Sequence, residues 1–181
     1  MILPDVLAPN LDVVFCGSAA GTVSARVGAY YAGPGNRFWP TLRAIGLTPV
    51  LLTPPEYPRL LEFGIGATDL NKLEFGADTA LTPAGDDVAG LIAKLAVARP
   101  RAIAFNGKRA ACAFLAAKQL TYGRQPEPWR DIPVFVLPST SRRAGAFWDE
   151  RPWQALGEFV RAMRAARQRR YRARLRTRPV S

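Results

Sequence analysis

Four short polar stretches of this sequence follow apolar runs, and they contain the side chains that could do chemistry. The stretches cover residues 17–37, 66–72, 106–108 and 139–147. Their side chains are aromatic, amide-bearing or basic, and Asp69 is the one carboxylate among them. Aromatic rings stack on nucleic-acid bases, amides read base edges, and arginines hold phosphates. These residue types together favour a site for a base and its phosphates.

Two scarce residue types limit the chemistry. The chain has no histidine, which excludes Ser-His and Cys-His catalysis and any histidine-ligated metal site. Its two cysteines, Cys16 and Cys112, are too few for an iron–sulfur cluster or a structural zinc site. We therefore expect no metal and no cofactor, and catalysis by carboxylates, amides, hydroxyls and backbone dipoles.

The apolar runs and the helical periodicity predict the elements that position these stretches. Strands are expected at residues 11–16, 102–105 and 133–137, with a further short strand within 64–70. Helices are expected at 37–45, 57–63, 86–98, 109–119 and 153–170, and residues 22–37 are expected to form a loop. The alternation predicts an α/β domain with a parallel sheet and helices on both faces. Ligand sites in such folds lie outside the carboxyl ends of the strands, so the polar stretches should meet there.

The size and the charge distribution predict one domain with a basic tail. The 181 residues are 49% hydrophobic and 22% charged, a balance typical of a globular protein. No apolar stretch approaches the roughly 20 residues that span a bilayer, and the first residues lack a secretory signal, so we expect a cytoplasmic protein. The net charge is +11, and the nine arginines from Arg161 onward, with no acid among them, account for most of it. We therefore divide the chain into a domain at 1–165 and an arginine-rich tail at 166–181.

Several of the candidates also have a purely structural interpretation. Asn36 could cap a helix, Phe38 could belong to the core, and Asp69 could be a buried carboxylate that accepts backbone N–H bonds. The tail could be a solubilising segment, or its arginines could bind phosphates, whose geometry matches the guanidinium fork. The residues alone leave these alternatives open.

Five short motifs between about residues 7 and 165 occur in the order and spacing of a known family. They are VVFCG from Val13, YAGPGNRFW from Tyr31, GIGATDL from Gly64, FNGK from Phe105 and VLPSTSRR from Val136. With them the sequence resembles the mismatch-specific uracil-DNA and thymine-DNA glycosylase branch of the uracil-DNA glycosylase superfamily. The resemblance implies a three-layer α/β/α sandwich around a short, mostly parallel sheet. It also implies a monomeric, monofunctional DNA repair enzyme that hydrolyses the N-glycosidic bond of uracil, or of another damaged base, flipped out of DNA.

The resemblance assigns roles to residues of the polar stretches. The partner it implies is DNA, double-stranded and single-stranded, with no membrane. Tyr31 matches the aromatic residue that stacks on the flipped base, and Arg143 lies at the tip of the loop that fills the gap in the stack. Base contacts are expected from Gly17, Ser18, Ala19, Tyr30, Tyr31, Phe38 and Asn106. DNA contacts are expected from Lys108, Ser139, Thr140, Ser141, Arg142 and Arg143.

One motif departs from the family pattern, and the departure leaves two hypotheses. The family's first motif reads Gly-Ile-Asn-Pro-Gly and its asparagine orients the attacking water, whereas this chain has Ala19 at that position. In the first hypothesis the chain is an active glycosylase in which Asp69 is catalytic, with Asn36 or Asn71 orienting water. In the second it binds lesions without turnover. A nucleotide enzyme is disfavoured, because the glycine loop lacks the Lys-Ser/Thr ending of a P-loop.

Overall fold

A five-stranded sheet forms the middle layer of the computed structural model, which describes residues 2–176. The strands are β1 (Val13–Gly17), β2 (Ile65–Asp69), β3 (Ile103–Asn106), β4 (Gly123–Arg124) and β5 (Val134–Leu137). Their order across the sheet is β2-β1-β3-β5-β4, and all neighbours are parallel except β4, which runs antiparallel to β5. The predicted strands are confirmed, and the two-residue β4 is an addition too short to show a pattern in the sequence.

The helices cover both faces of the sheet. They are α1 (Thr22–Val27), α2 (Phe38–Ala44), α3 (Val88–Ala98), α4 (Lys108–Phe114) and α5 (Arg151–Arg176), with 3₁₀ helices at Pro54–Phe63, Asp78–Ala80, Pro83–Gly85 and Arg142–Phe147. Successive side chains of a strand point to opposite faces, so β1 contributes to two separate cores. Phe15 packs in one core with α2 and α5, and Val14 packs in the other with α3 and α4. The chain is therefore a three-layer α/β/α fold, as predicted.

One helix was missed by the sequence analysis, and two predicted helix ends are wrong. Residues 22–37 contain α1, whose six residues are too few to show a helical period. The helix α4 ends at Phe114 and not near residue 119, and Ala116 just beyond it has a left-handed φ of 51°. The helix α5 continues to Arg176, past the predicted end near residue 170. Local sequence signals locate element ends poorly because packing against the rest of the chain decides them.

The helix α5 crosses the predicted boundary at residue 165 without a break. The first part of the tail, residues 166–176, is thus helical and continuous with the domain. The last part of it, residues 177–181, lies outside the described residues. No helix within residues 2–176 is long and apolar enough to cross a membrane.

The strand order places a crevice beside β1. The chain leaves β1 toward β2 on one side and then crosses to β3 on the other side, so the carboxyl ends of these three strands meet where the order reverses. Ligands of doubly wound folds bind at such a switch point. The functional site is therefore expected at the ends of β1, β2 and β3.

Candidate active site

The last residues of β1, β2 and β3 are Gly17, Asp69 and Asn106. Gly17 lies opposite Asp69 in the β1–β2 register, and Asn106 ends the strand on the other side of β1. The sequence predicted that these loops converge, and the sheet brings their residues together.

Asp69 is a buried carboxylate without a hydrogen-bond donor. Its side chain is only 3% exposed, and no residue in the described part of the chain donates a hydrogen bond to it. Burial raises the pKa of Asp69 to about 6, because a charged carboxylate loses its hydration there. The positive charges of Lys72 and Lys94 oppose this shift, and the negative charge of Asp5 adds to it. A structural aspartate that accepts backbone N–H bonds would have its oxygens paired, and Asp69 does not.

A network of three charged residues surrounds Asp69 and was not found by sequence reasoning. The Lys72 ammonium lies 2.6 Å from one Asp5 oxygen, and the Lys94 ammonium lies 2.8 Å from the other. The Thr68 hydroxyl donates a further hydrogen bond of 2.7 Å to Asp5. These residues come from three distant segments, so no spacing in the sequence could have indicated them.

Across residues 2–176 no three acidic or cysteine side chains group closely enough to hold a metal ion.

Tyr31 presents a supported ring and an unpaired hydroxyl. Its ring is partly exposed and stacks on Phe38, with centroids 3.8 Å apart and planes at 26°. Its hydroxyl is buried and has no hydrogen-bond partner in the described part of the chain. Burial and the nearby Asp69 charge raise the pKa of Tyr31 well above its ordinary value, while the Asn106 side chain, which lies in polar contact with the hydroxyl but outside full hydrogen-bond geometry, opposes the shift. The hydroxyl therefore keeps its proton and can donate it to a ligand.

The bare backbone of Gly17 separates these two unpaired groups. A methyl group added to Gly17 would lie 2.5 Å from Asp69 Oδ1 and 3.6 Å from the Tyr31 hydroxyl. Any side chain at this position would therefore displace the carboxylate. A buried hydroxyl without a partner costs free energy unless a bound molecule or water satisfies it, so the arrangement favours a polar ligand beside Tyr31 and Asp69.

The Asn106 side chain fixes the loop that follows β5. Its amide donates a 2.8 Å hydrogen bond to the Thr140 hydroxyl, and its oxygen accepts one of 3.0 Å from the Thr140 backbone N–H. The Arg37 backbone N–H donates to the Thr140 carbonyl, which ties the loop before α2 to the same point. Asn106 thus positions the loop through Thr140 and also lies beside the Tyr31 hydroxyl.

The loop of residues 139–147 has an ordered base and an exposed tip. The Ser139 and Ser141 hydroxyls accept hydrogen bonds from the backbone N–H groups of Ser141 and Arg143, which shapes the turn. Arg142 and Arg143 are exposed at the tip, as a DNA contact requires. Phe147, at the end of the 3₁₀ helix Arg142–Phe147, is 75% exposed and was not predicted as a DNA contact.

Three of the predicted site residues have structural roles in this fold. Tyr30 is 1% exposed and its hydroxyl accepts a 2.7 Å hydrogen bond from Lys72, which places it in the core. Phe38 is fully buried beneath Tyr31 and supports that ring. Asn71 is 1% exposed and shapes its own turn, since its oxygen accepts two backbone N–H bonds and its amide donates to Glu74. These side chains are enclosed in this fold, and the expected base contacts of Tyr30 and Phe38 and the catalytic role of Asn71 stay predictions.

The remaining predicted residues lie at the rim of the crevice. The Asn36 oxygen accepts a 3.0 Å hydrogen bond from the Phe38 backbone N–H, which shapes the turn into α2, although Arg37 is the N-cap residue of that helix. Its amide group makes no hydrogen bond within residues 2–176. Ser18 is buried and Ala19 half-buried in the loop after β1. Lys108 is exposed, with its ammonium 4.4 Å from the centre of the Tyr122 ring.

The fold is a doubly wound α/β sheet in which the carboxyl ends of the parallel strands β1, β2 and β3 meet, the place where proteins of this class bind their ligands. The chain belongs to the uracil DNA glycosylase superfamily, whose family model matches residues 4–159. A similar solution NMR structure comes from Methanosarcina acetivorans and is provisionally described as a uracil DNA glycosylase. Its sequence is 25% identical to that of this chain, and the two structures superpose with a TM-score of 0.57. The match covers 88% of this chain and 96% of the other. These relationships support a DNA glycosylase, a hydrolase of DNA repair with DNA as its partner.

Proposed function

We propose that this protein removes uracil, and other deaminated or damaged bases, from DNA by hydrolysing the N-glycosidic bond and leaving an abasic site. The observation that supports this most directly is the buried Tyr31 hydroxyl, which lacks a hydrogen-bond partner within residues 2–176, together with the buried Asp69 carboxylate and its raised pKa, both beside Gly17. A nucleotide flipped into the crevice would offer the Tyr31 hydroxyl an acceptor and would bring C1′ and the attacking water to Asp69. We also propose that the chain belongs to the mismatch-specific branch of the superfamily.

The chemistry requires stabilisation of a cationic sugar. When the bond between C1′ and the base nitrogen breaks, its electron pair leaves with the base, and the sugar develops the charge of an oxocarbenium ion. A carboxylate near C1′ stabilises that cation, and in a water-poor site its effect is larger than in bulk solvent. Water then bonds to C1′ and gives up a proton, which Asp69 can accept. The Asn36 amide, free at the rim, is the second candidate for orienting this water.

Recognition is divided between the crevice and the loop tip. The Tyr31 ring, supported from below by Phe38, offers a stacking surface for the extruded base. Arg142 and Arg143 lie on a loop that Asn106 and Thr140 hold against the end of β3. An arginine can fill the space that the flipped nucleotide leaves and hydrogen-bond to the orphaned base.

A lesion-binding protein without turnover is the second candidate, because Ala19 replaces the water-orienting asparagine of the family's first motif. The buried and unpaired Asp69 weighs against it, since a carboxylate repels the carbonyl edge of uracil and serves pure recognition poorly. An oligonucleotide with one uracil, incubated with the protein and then treated with alkali, separates the two candidates. Strand cleavage supports the glycosylase, and tight binding with no cleavage over many hours supports the lesion-binding protein.

The pH dependence of excision should report the ionisation of Asp69. Because the pKa of Asp69 is about 6 and the mechanism uses the ionised form, the single-turnover rate is expected to rise from pH 5 to pH 7 and to level off above. Rates should be measured with enzyme in excess on a single-stranded uracil oligonucleotide. A profile that is flat, or that falls over this range, contradicts the role of the ionised carboxylate.

Arg143→Ala is expected to impair excision from duplex DNA more than from single-stranded DNA, by about tenfold. Flipping a base out of a duplex leaves a gap in the base stack and an unpaired partner base, whereas a single strand has neither. An arginine that fills this gap therefore has a function only on duplex DNA. The matched control is Arg142→Ala, which we expect to weaken both substrates equally through a lost phosphate contact. If Arg143→Ala lowers excision equally from duplex and single-stranded DNA, Arg143 contacts only phosphate, as expected for Arg142.

A further inference from the structure

The helix α5 leads from the catalytic edge of the sheet to the opposite edge. Near its start, the Trp153 indole donates a 3.0 Å hydrogen bond to the Pro138 carbonyl, directly after β5. Fourteen residues later, Arg167 lies 2.6 Å from Asp12, the residue immediately before β1. At 1.5 Å per residue, these two points are about 21 Å apart along the helix axis.

Two ion pairs and several carbonyl contacts anchor α5 at this far edge. Asp12 is 3% exposed, and both Arg164 and Arg167 pair with it. Arg164 also donates to the carbonyls of Leu47 and Phe63. Because Asp12 is buried and doubly paired, the direction of the helix beyond Arg167 is set by the domain.

The nine residues that follow Arg167 extend the helix by about a further 13 Å. Every residue from 168 to 176 is exposed, and the chain has no acidic residue after Glu158. A helical repeat of 3.6 residues places Arg169, Arg172 and Arg176 on one side. Arg169, Arg170, Arg172 and Arg176 form no ion pair within residues 2–176. This helical extension carries a row of exposed arginines that points away from the catalytic edge.

We propose that residues 168–176 form a second nucleic-acid site, which holds the phosphate backbone of a duplex segment other than the one at the catalytic edge. The inference depends on the proposed function only in taking DNA as the polymer. A duplex seated over Gly17 and Arg143 lies at the opposite end of α5, so the extension cannot reach it. One protein molecule can therefore hold two segments of DNA at the same time.

The composition of the extension favours phosphates over the other surfaces that attract cations. Arginines at i and i+3 or i+4, such as Arg169 with Arg172 and Arg172 with Arg176, repel each other, and a polyanion relieves that repulsion. The guanidinium fork matches phosphate oxygens in pairs. Only Tyr171 and Leu175 are large and apolar among the nine residues, too few for the apolar face of a membrane-surface helix.

The test measures bridging between two DNA molecules. Two undamaged duplexes, one labelled with a donor fluorophore and one with an acceptor, are mixed with the full-length protein at low salt, and energy transfer is recorded. We expect transfer with the natural chain and its loss in the variant R169Q/R170Q/R172Q/R176Q. Glutamine keeps the helix, which circular dichroism checks, and removes the charge. The slope of log affinity against log salt should fall by about 2 if half of these arginines contact phosphate.

Two matched variants make the result specific. The variant R169K/R170K/R172K/R176K keeps the charge and should keep bridging, and R43Q/K118Q removes two exposed charges from elsewhere on the surface and should also keep it. Bridging that survives the four glutamines overturns the proposal, as does loss of bridging in R43Q/K118Q. Binding of the natural tail to anionic phospholipid vesicles in preference to DNA likewise overturns it.

The excision assay separates this inference from the proposed function. The four-glutamine variant should excise uracil at the natural single-turnover rate when enzyme is saturating, because its catalytic edge is intact. A natural chain that bridges duplexes but never cleaves uracil-containing DNA contradicts the proposed function alone. A chain that cleaves normally and never bridges contradicts the second site alone.

Discussion

Asp69→Ala is expected to lower the single-turnover rate of base excision by about 10² or more while leaving DNA affinity nearly unchanged. This magnitude is typical of a positioned acid or base group, and the carboxylate also stabilises the cationic sugar. The measurement is the cleavage rate with enzyme in excess, together with the Kd for a duplex that contains a non-hydrolysable nucleotide. Glu62→Gln, which removes a carboxylate near the amino end of β2, is the control and should cleave normally.

The isosteric variant Asp69→Asn adds a stability measurement to the same test. The folded protein holds Asp69 at a pKa of about 6, above its ordinary value of 3.8, so the fold favours the neutral form. Its stability contribution is therefore greatest at low pH and is lost as pH rises through about 6. Asp69→Asn should be more stable than the natural chain at pH 7, by up to about 3 kcal/mol, with no gain below pH 4. Near-normal cleavage by either variant would transfer the catalytic role to Asn36.

Tyr31→Ala is expected to weaken capture of the flipped base by about 1–3 kcal/mol, or roughly 5- to 150-fold, because the stacking surface is lost. The informative partner is Tyr31→Phe, which keeps the ring and removes only the unpaired hydroxyl. We expect Tyr31→Phe to melt at a higher temperature, since a buried hydroxyl without a partner destabilises the fold. It should nevertheless bind the damaged base about tenfold more weakly, because the hydrogen bond to the ligand is gone.

Both outcomes for Tyr31→Phe can be measured on one preparation. Thermal unfolding gives the change in Tm, and titration of a uracil-containing duplex gives the change in Kd. A phenylalanine variant with raised Tm and unchanged affinity would show that stacking is the whole role of Tyr31. A variant with lowered Tm would show instead that the hydroxyl has a partner within the fold.

The sequence predicted that Asp69 lies at the carboxyl edge of the sheet, and the structure places it there, at the end of β2. The buried strands are continuous apolar runs, and each is followed directly by polar or glycine-rich residues, so the edge of the sheet that holds the site follows from local pattern. Asp69 stood out because it is the one acid in the converging stretches. The structure adds that its oxygens are unpaired, which depends on the backbone of β1 across the register.

Neighbouring aromatic residues show what the sequence could not distinguish. Tyr30 and Tyr31 are adjacent in a glycine-containing segment, and nothing local separates a core tyrosine from a site tyrosine. The left-handed backbone of Tyr31, with φ of 53°, turns the chain between them. As a result Tyr30 packs in the core and reaches Lys72, while Tyr31 faces the crevice with Phe38 beneath it.

The sequence by itself determined the fold class, the edge of the sheet at which the site forms, and the concentration of arginine at the end of the chain. These follow from periodicity and composition, which report on each residue and its near neighbours. The tertiary structure alone decided which polar groups remain unpaired, how Asp5, Lys72 and Lys94 surround Asp69, and that α5 directs its arginines away from the site. Each of those depends on contacts between segments far apart in the chain, and such contacts exist only once the layers have packed.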